Sequence, residues 1–455
     1  MAMTPAQARL AHLVLNRFGL GAKPGAIQRI GADAKAALLA EINLPGVADI
    51  TTPGLPTYAA ACRLTDGDFG AADTIKNLEL RARVTKAMQP EIGFVERLVM
   101  FFSNHFSIAV SKEGATRPTL GQMERAVIRR HVLGSFPAML LGVMQHPAML
   151  DFLDNSSSVG PNSPYGKEHR LGLNENLGRE LLELHTLGVD GGYTQADVVS
   201  LARILTGWSV VRGWESEQRW DGGAPGNRGQ FIWRPQRHEP GTHTLLGRAL
   251  PANGILQGRA ALTMLALHPS TAEFLAFKLI HHFITDNPLP SQVNAVAAAY
   301  RTSRGSIKAT VLAMLDLPEA FTAPLTKLRT PYELQLAMMR TTGRMYRDNQ
   351  MWAFNSPLFD LRNMPWERRS PDGYPDETEY WLRPDGMRVR LETSQMAAWV
   401  FQDGRPYTRT AYQMALLLFG STMAPESRLA VSDAQADDPI RAVATLFMLP
   451  EFQWR

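Results

Sequence analysis

The stretch Asn174-Glu175-Asn176-Leu177-Gly178-Arg179-Glu180-Leu181-Leu182-Glu183-Leu184-His185-Thr186-Leu187-Gly188-Val189-Asp190 has a helical period. Leu177, Leu181 and Leu184 fall at i, i+4 and i+7, a spacing that lines one face of an α-helix, and Leu182 widens the stripe. Asn176, Glu180 and Glu183 recur at the same spacing on another face. One helix therefore presents an amide and two carboxylates in a row. Glu175 and Arg179 sit four apart, in the order that favours pairing. Gly188 is placed to end the helix, and Thr194-Gln195-Ala196-Asp197 is close to a capping box for the next one.

The same period extends outward. Ala6 to Phe18 reads as a helix opened by Thr4-Pro5, and Ala26 to Ile42 as a second. Phe94, Leu98, Phe101 and Phe102 mark the buried face of a helix that ends near His105. Further helices are predicted at 118–133, 135–145, 147–153 and 195–207, through most of 254–343, and at 394–420 and 437–449. Residues 45–70 and 155–172 are rich in loop formers, and the second stretch reads as a mobile loop. Between 208 and 247, Trp208, Trp214, Trp220 and Trp233 punctuate Gly-rich sequence. There Gln230–Trp233 and Thr242–Leu246 are expected to pair as a short hairpin. Two Pro-Asp-Gly turns, at Pro371–Gly373 and Pro384–Gly386, suit type I geometry followed by a glycine at positive φ. The reading is a mainly α fold: a large, multi-helix, bundle-like domain with a short β-hairpin and long irregular loops. Its parts are a helical core over 1–345 that carries the hairpin excursion at 208–247, an irregular Trp/Pro/Arg-rich excursion over 346–393, and C-terminal helices over 394–455 that pack back on the core.

A chain of 455 residues buries a large core without staples, and its one cysteine, Cys62, rules out a disulfide scaffold. The net charge of +4 is a mild excess, and no run of five like charges marks a nucleic-acid arm. No segment approaches about 18 uninterrupted apolar residues, so no transmembrane helix is expected. No charged n-region and apolar h-region precede the first helix. The sequence as given reads as cytoplasmic, or as periplasmic where an export signal has been removed. Familiar site motifs are missing: there is no His-Glu-x-x-His, EF-hand loop, P-loop or Gly-x-Ser-x-Gly elbow. Glu183 lies two residues from His185, not the three of a di-iron motif. His281 and His282 are consecutive on a helical segment and point apart, which argues against joint ligation.

Several stretches together resemble the domain of unknown function 1800 family. They are His12-Leu13 to Phe18-Gly19, Glu96-Arg97 through Asn104-His105-Phe106, His146-Pro147 through Asp154-Asn155, and Asn174 through Asp190, which runs on into Gly191–Thr194 and reaches Leu205–Trp208. Later matches are His238 with Gly247, His268–Ala272, and Ser370-Pro371-Asp372-Gly373-Tyr374-Pro375. At Gly178 the family more often has alanine. The resemblance implies a helical fold, a bacterial source and frequent pairing with a sulfatase-like partner family. It brings no chemistry of its own.

The residues themselves point to a hydrolase- or lyase-like enzyme acting on a polar polymer, a glycan first of all. Acid–base work would fall to Glu180 or Glu183, with His185 or His105 assisting, because a carboxylate pair suits glycosidic cleavage. Asp154, Asn155, Asn174, Asn176 and Arg179 would hold substrate, and Trp208 would offer a stacking face for a sugar ring. The sequence names no cofactor, although the carboxylate pair is compatible with a divalent cation. Burying unpartnered carboxylates and amides is costly. Asp154, Asn155, Asn174, Glu180 and Glu183 are therefore expected to gather in space with His105 or His185. The alternative is a non-catalytic assembly or chaperone-like partner of an exported sulfatase-like protein, in which the polar cluster is a buried network. A weaker alternative is a metal-dependent oxidoreductase.

Overall fold

Several helices begin where the sequence provides caps. Thr4 opens Pro5–Leu13, Thr194 opens Gln195–Leu205 and Thr330 opens Pro331–Thr342. In each, the threonine hydroxyl takes an orphan backbone N–H, and Gln7, Asp197 or Glu333 returns the bond to the cap residue. The computed structural model describes residues 3–64, 68–110, 116–211 and 229–455. It is 64% helical with two small antiparallel sheets, a mainly α fold as the sequence predicts. The expected helix over 26–42 is broken in two, Ala26–Ile30 and Ala34–Asn43, because Gly31 turns the chain at φ +72° and Asp33 caps the second piece.

Among the described residues, three segments are π-helical: Val14–Phe18, Glu124–Ile128 and Leu181–Thr186. A π turn inserts a residue and rotates the downstream side chains relative to the α register. The predicted Leu177–Leu181–Leu184 stripe is corrected for this reason. Leu177, Leu181, Leu182, His185 and Thr186 are buried, whereas Leu184 is only half-buried. Gly178 lies against Val198 and Ala202 of the Gln195–Leu205 helix. A Cβ there would come within 3.1 Å of the Ala202 nitrogen.

The expected hairpin is also corrected. Phe231–Trp233 pairs not with 242–246 but with Trp208–Val210, while His243–Leu245 pairs with Arg248–Leu250. The second pair closes through Leu246 and Gly247, both at positive φ, the geometry of a two-residue hairpin turn. Trp214 and Trp220 lie outside the described residues. The 155–172 stretch, read above as a mobile loop, contains a 3-10 turn and the short helix Pro164–His169. Glu239 holds it by accepting from the Asn162 backbone at 2.9 Å and from the Asn162 amide at 2.6 Å. The 346–393 excursion is less irregular than predicted, since it contains Met351–Asp360, Thr378–Trp381 and the start of Pro384–Gln402. Pro384 takes the first helical position, so the second Pro-Asp-Gly opens a helix instead of making a turn. The first does turn, with Gly373 at φ +81°.

One buried apolar cluster runs from Ala11 to Phe452. It takes in Phe354, Leu358 and Met364 of the excursion and Ala397, Phe401 and Phe447 of the closing helices. Among the described residues, no helix is long and apolar enough to cross a membrane. Set into the core is a chain of charges. Glu333 pairs with Arg97 at 3.2 Å and with Arg455 at 2.8 Å, and the three are 3%, 0% and 1% exposed. Arg455 also reaches Asp376 at 3.3 Å and donates to the His282 carbonyl at 2.7 Å. Lys327 pairs with Asp286 and donates to the Asp376 carbonyl at 2.5 Å. These bonds tie the excursion to the Pro331–Thr342 helix, and they position the site described next.

Burial alone would raise the Glu333 pKa, but Arg455 and Arg97 overcome it and bring the group from 4.5 down to about 2. A depressed carboxylate contributes stability that is full above its unfolded pKa and is lost as pH falls through the folded one. The protein is therefore predicted to lose stability as pH falls from about 4.5 to about 2. Glu333→Gln should remove that part of the pH dependence and cost about 3–5 kcal/mol at neutral pH by leaving two buried guanidinium groups facing each other. Urea unfolding of both proteins across this range checks the prediction, and identical pH profiles would contradict it.

Candidate functional site

Two helices and one turn place His105, Lys278 and the edge carboxylates of the site. In Phe94–His105, Phe94, Leu98, Phe101 and Phe102 are buried as predicted, and His105 ends the helix inside the protein at 2% exposure. In Pro269–Phe283, capped by His268, the residues Phe274, Phe277, Lys278 and His281 fall at i, i+3, i+4 and i+7 and so share a face. The turn at 371–376 docks on the end of the first helix. The Asn104 side-chain amide donates to the Tyr374 carbonyl at 2.9 Å, and its oxygen accepts from the Tyr374 N–H at 2.7 Å. A Cβ on Gly373 would lie 2.5 Å from the Asn104 carbonyl oxygen, so close approach and positive φ both require glycine there.

Between these elements lies a cavity of about 650 Å3. His105 and Lys278 form part of its wall, Phe277 and Trp366 present rings to it, and Asp372 and Glu377 stand exposed at its edge. The segment that carries Trp366 is held in an unusual backbone conformation, with non-glycine residues Arg362 at φ +51° and Trp366 at φ +64°. Such positions are costly and persist where packing enforces them, often beside functional sites. Here the Trp366 carbonyl accepts from Val110, and the Arg83 guanidinium lies 5.5 Å from the Trp366 ring centroid.

His105 and His185 fasten each other's helix ends. The His105 Nε2–H donates to the His185 carbonyl at 3.2 Å, and the His185 Nδ1–H donates to the His105 carbonyl at 3.0 Å. The last carbonyls of a helix have no partner within it, and each ring supplies one to the other. This fixes the tautomer of His105, whose Nδ1 is left to accept. It takes an N–H of Lys278 at 3.2 Å. Burial, with help from Lys278 and His185, holds His105 well below the ordinary histidine value and keeps it neutral. Burial lowers the Lys278 amine to about 8, although Asp376, Asp372 and Glu377 pull the other way. Among the described residues, no carboxylate forms an ion pair with Lys278. The neighbouring cations are paired, Arg83 with Glu124 at 3.1 Å and Arg368 with Asp372 at 3.1 Å.

A second histidine pair has the look of a catalytic dyad but not the geometry. His282 donates from Nδ1 to Asp376 at 2.6 Å, and its Nε2 faces Arg97 at 3.2 Å. Burial lowers its pKa to about 4, so the ring is neutral and both nitrogens are already engaged. Its role is to join the buried charges.

The other sequence candidates lie elsewhere. His185 is fully buried behind His105 and does not line the cavity. Glu180 and Glu183 also lie outside its lining. Glu180 is half-buried, with its pKa raised first by burial and then by Glu183, while Glu183 accepts from the Tyr193 hydroxyl at 3.3 Å. Arg179 bonds Glu175 at 3.1 Å and Gln195 at 3.0 Å. Asn174 accepts from the Asn176 N–H at 2.9 Å, which is helix-start chemistry. The Asn155 amide donates to the carbonyls of Leu205 and Trp208, and the Asp154 carbonyl takes the Ser157 hydroxyl. Trp208 is wholly enclosed and offers no face to a ligand. Of these candidates only His105 lines the cavity; Glu180 and Glu183 lie near enough to act on each other's charge, and Asn155, Asn174 and Glu183 each have a hydrogen-bond partner of their own. Among the described residues, no three His, Cys, Asp or Glu side chains are grouped to hold a metal ion.

The chain belongs to the family described as "Protein of unknown function (DUF1800)", which matches residues 13–454. Neither the curated proteins nor the solved structures give a match.

The reciprocal histidine bonds have a measurable consequence. His185→Leu keeps an apolar ring-sized group but leaves the His105 carbonyl buried without a donor. It should cost about 1–3 kcal/mol of unfolding free energy. Unchanged urea midpoints would show that the clamp contributes nothing.

Proposed function

We propose that the cavity is the active site of a hydrolase- or lyase-like enzyme acting on a polar polymer, a glycan in the first place, and that Lys278 is its general base. The observation that carries this reading is a half-buried amine without an ion-pair partner among the described residues, standing in the wall of a cavity of about 650 Å3. A general base works best with a pKa near the working pH, and an amine brought down to about 8 meets that condition. Neutral Lys278 can take a proton from a water in hydrolysis, or from a carbon beside an acid group in elimination. Phe277 and Trp366 supply flat faces against which a sugar ring packs, and Asp372 and Glu377 at the edge accept from hydroxyl groups. This reading moves the acid–base work from Glu180 and Glu183 to Lys278, because neither carboxylate lines the cavity.

A second reading, a non-catalytic assembly or chaperone-like partner of a sulfatase-like protein, draws on apolar rings left in solvent. Trp352 and Trp399 are 55% and 58% exposed. Large exposed apolar side chains mark contact surfaces when they are contiguous.

The test is a screen of neutral and uronate-bearing polysaccharides, followed by new reducing ends and by the ultraviolet absorbance of new C=C bonds. On a polymer that is cleaved, Lys278→Met should lower the rate about 100-fold or more while leaving the fold intact. The parent rate should rise with pH through about 8, as Lys278 loses its proton. Cleavage that persists in Lys278→Met, or a rate flat through that range, would contradict the assignment.

A further inference from the structure

We infer that Lys278 is also a covalent site: its amine condenses with the carbonyl carbon of an aldehyde or keto compound, such as an open-chain sugar, to form an imine within the cavity. This deepens the proposed function and rests on its reading of the cavity as the active site. Three observations carry it.

The first is direction. His105 donates its only N–H to the His185 carbonyl, so towards Lys278 it can only accept. The amine must give one N–H to His105, which turns its remaining valences, and the lone pair of the neutral form, away from that ring.

The second is surroundings. The Lys278 nitrogen lies 5.3 Å from the centroid of the Phe274 ring, on a helix face shared with Phe277. No carboxylate among the described residues pairs with the amine to hold it as ammonium. Partial burial beside aromatic side chains, with no paired carboxylate, activates lysine as a nucleophile by desolvation. The lowered amine pKa agrees with this geometry.

The third is a donor without a partner. The Tyr332 hydroxyl is buried, lines the same cavity and has no hydrogen-bond partner among the described residues. A buried hydroxyl left unbonded is costly, and an acceptor on a ligand held elsewhere in the same cavity would satisfy it. Burial raises the phenol to about 12, so it stays protonated and able to donate.

The step balances without an oxidant, reductant or co-reactant. The nitrogen lone pair forms the C–N bond, and the carbonyl π electrons move to oxygen. That oxygen takes a proton from water and the nitrogen gives one up, which leaves the carbinolamine. Its hydroxyl takes a second proton from water, the nitrogen lone pair expels it as water, and the resulting iminium returns its remaining N–H proton to water to leave C=N.

The test uses the full chain with glycolaldehyde and cyanoborohydride, read by intact mass and peptide mapping. Lys278 should be alkylated at least about tenfold faster than an exposed lysine such as Lys167, from the larger neutral fraction of its amine. The fast adduct should vanish in Lys278→Met. Labelling of Lys278 no faster than Lys167, or a fast adduct that survives in Lys278→Met, would overturn the inference. The outcome is separable from polymer cleavage. A fast Lys278 adduct without cleavage supports this inference and counts against the polymer. Lys278-dependent cleavage with ordinary labelling overturns this inference alone.

Discussion

The carboxylate of Glu333 holds the molecule's long-range connections in one place. One oxygen faces Arg97, and the other faces Arg455 while also accepting from the Thr330 N–H at 2.8 Å. Arg97 in turn donates to backbone carbonyls at Asn16, Arg17 and Gly19, at the end of the Val14–Phe18 π turn. A helix cap, a second helix, the first turn of the chain and Arg455 thus share one charge. Buried ions are a poor source of net stability, because desolvation offsets their attraction. What they impose is arrangement, since any other packing would leave an ion without its partner. Asp376, and with it the turn that closes the cavity, is bound into that arrangement through Arg455, His282 and Lys327.

The site depends on a second, smaller constraint at the ends of two helices. The carbonyls of His105 and His185 need donors, and each is served by the other's ring. The π turn at Leu181–Thr186 sets the phase that buries His185 for this contact, where an unbroken α register would have favoured Leu184. Because both rings are committed, His105 has a single free acceptor, and Lys278 occupies it. Structural chemistry at the helix ends therefore places an amine in a cavity with a defined orientation.

Much of the fold was legible in the sequence. The 3.6-residue period located most helices, Thr4-Pro5 and the Thr194-x-x-Asp197 cap located the starts of two, and the Pro-Asp-Gly at 371–373 located the turn that meets Asn104. Three things were not legible, each for a physical reason. Phase shifts at π turns leave the composition of the periodic stripe unchanged, so Leu184 looked as buried as Leu181. Strand pairing depends on partners far along the chain, so Phe231–Trp233 gave no sign of preferring Trp208–Val210 to its nearer neighbour. The site joins residues 173 apart in the case of His105 and Lys278, and no local spacing encodes that. Two signals were nevertheless present. Phe274, Phe277, Lys278 and His281 form a mixed aromatic and basic stripe on one helix face, and the Ser370–Pro375 motif ends one residue before Asp376. The densest motif, Asn174 to Asp190, offered both a carboxylate row and helix-end chemistry, and the structure gives it the Glu175–Arg179 pair, the His185 clamp and the Tyr193–Glu183 bond.

The central claim is that the surroundings of Lys278 keep its amine largely deprotonated at mildly alkaline pH. Titration of the Lys278 13Cε resonance in lysine-labelled protein, assigned by its loss in Lys278→Met, measures this without any substrate. The predicted midpoint is about 8, below the ordinary 10.5. A midpoint at the ordinary lysine value would mean that Lys278 is a hydrated surface cation, and the active-site reading of the cavity would fall with it.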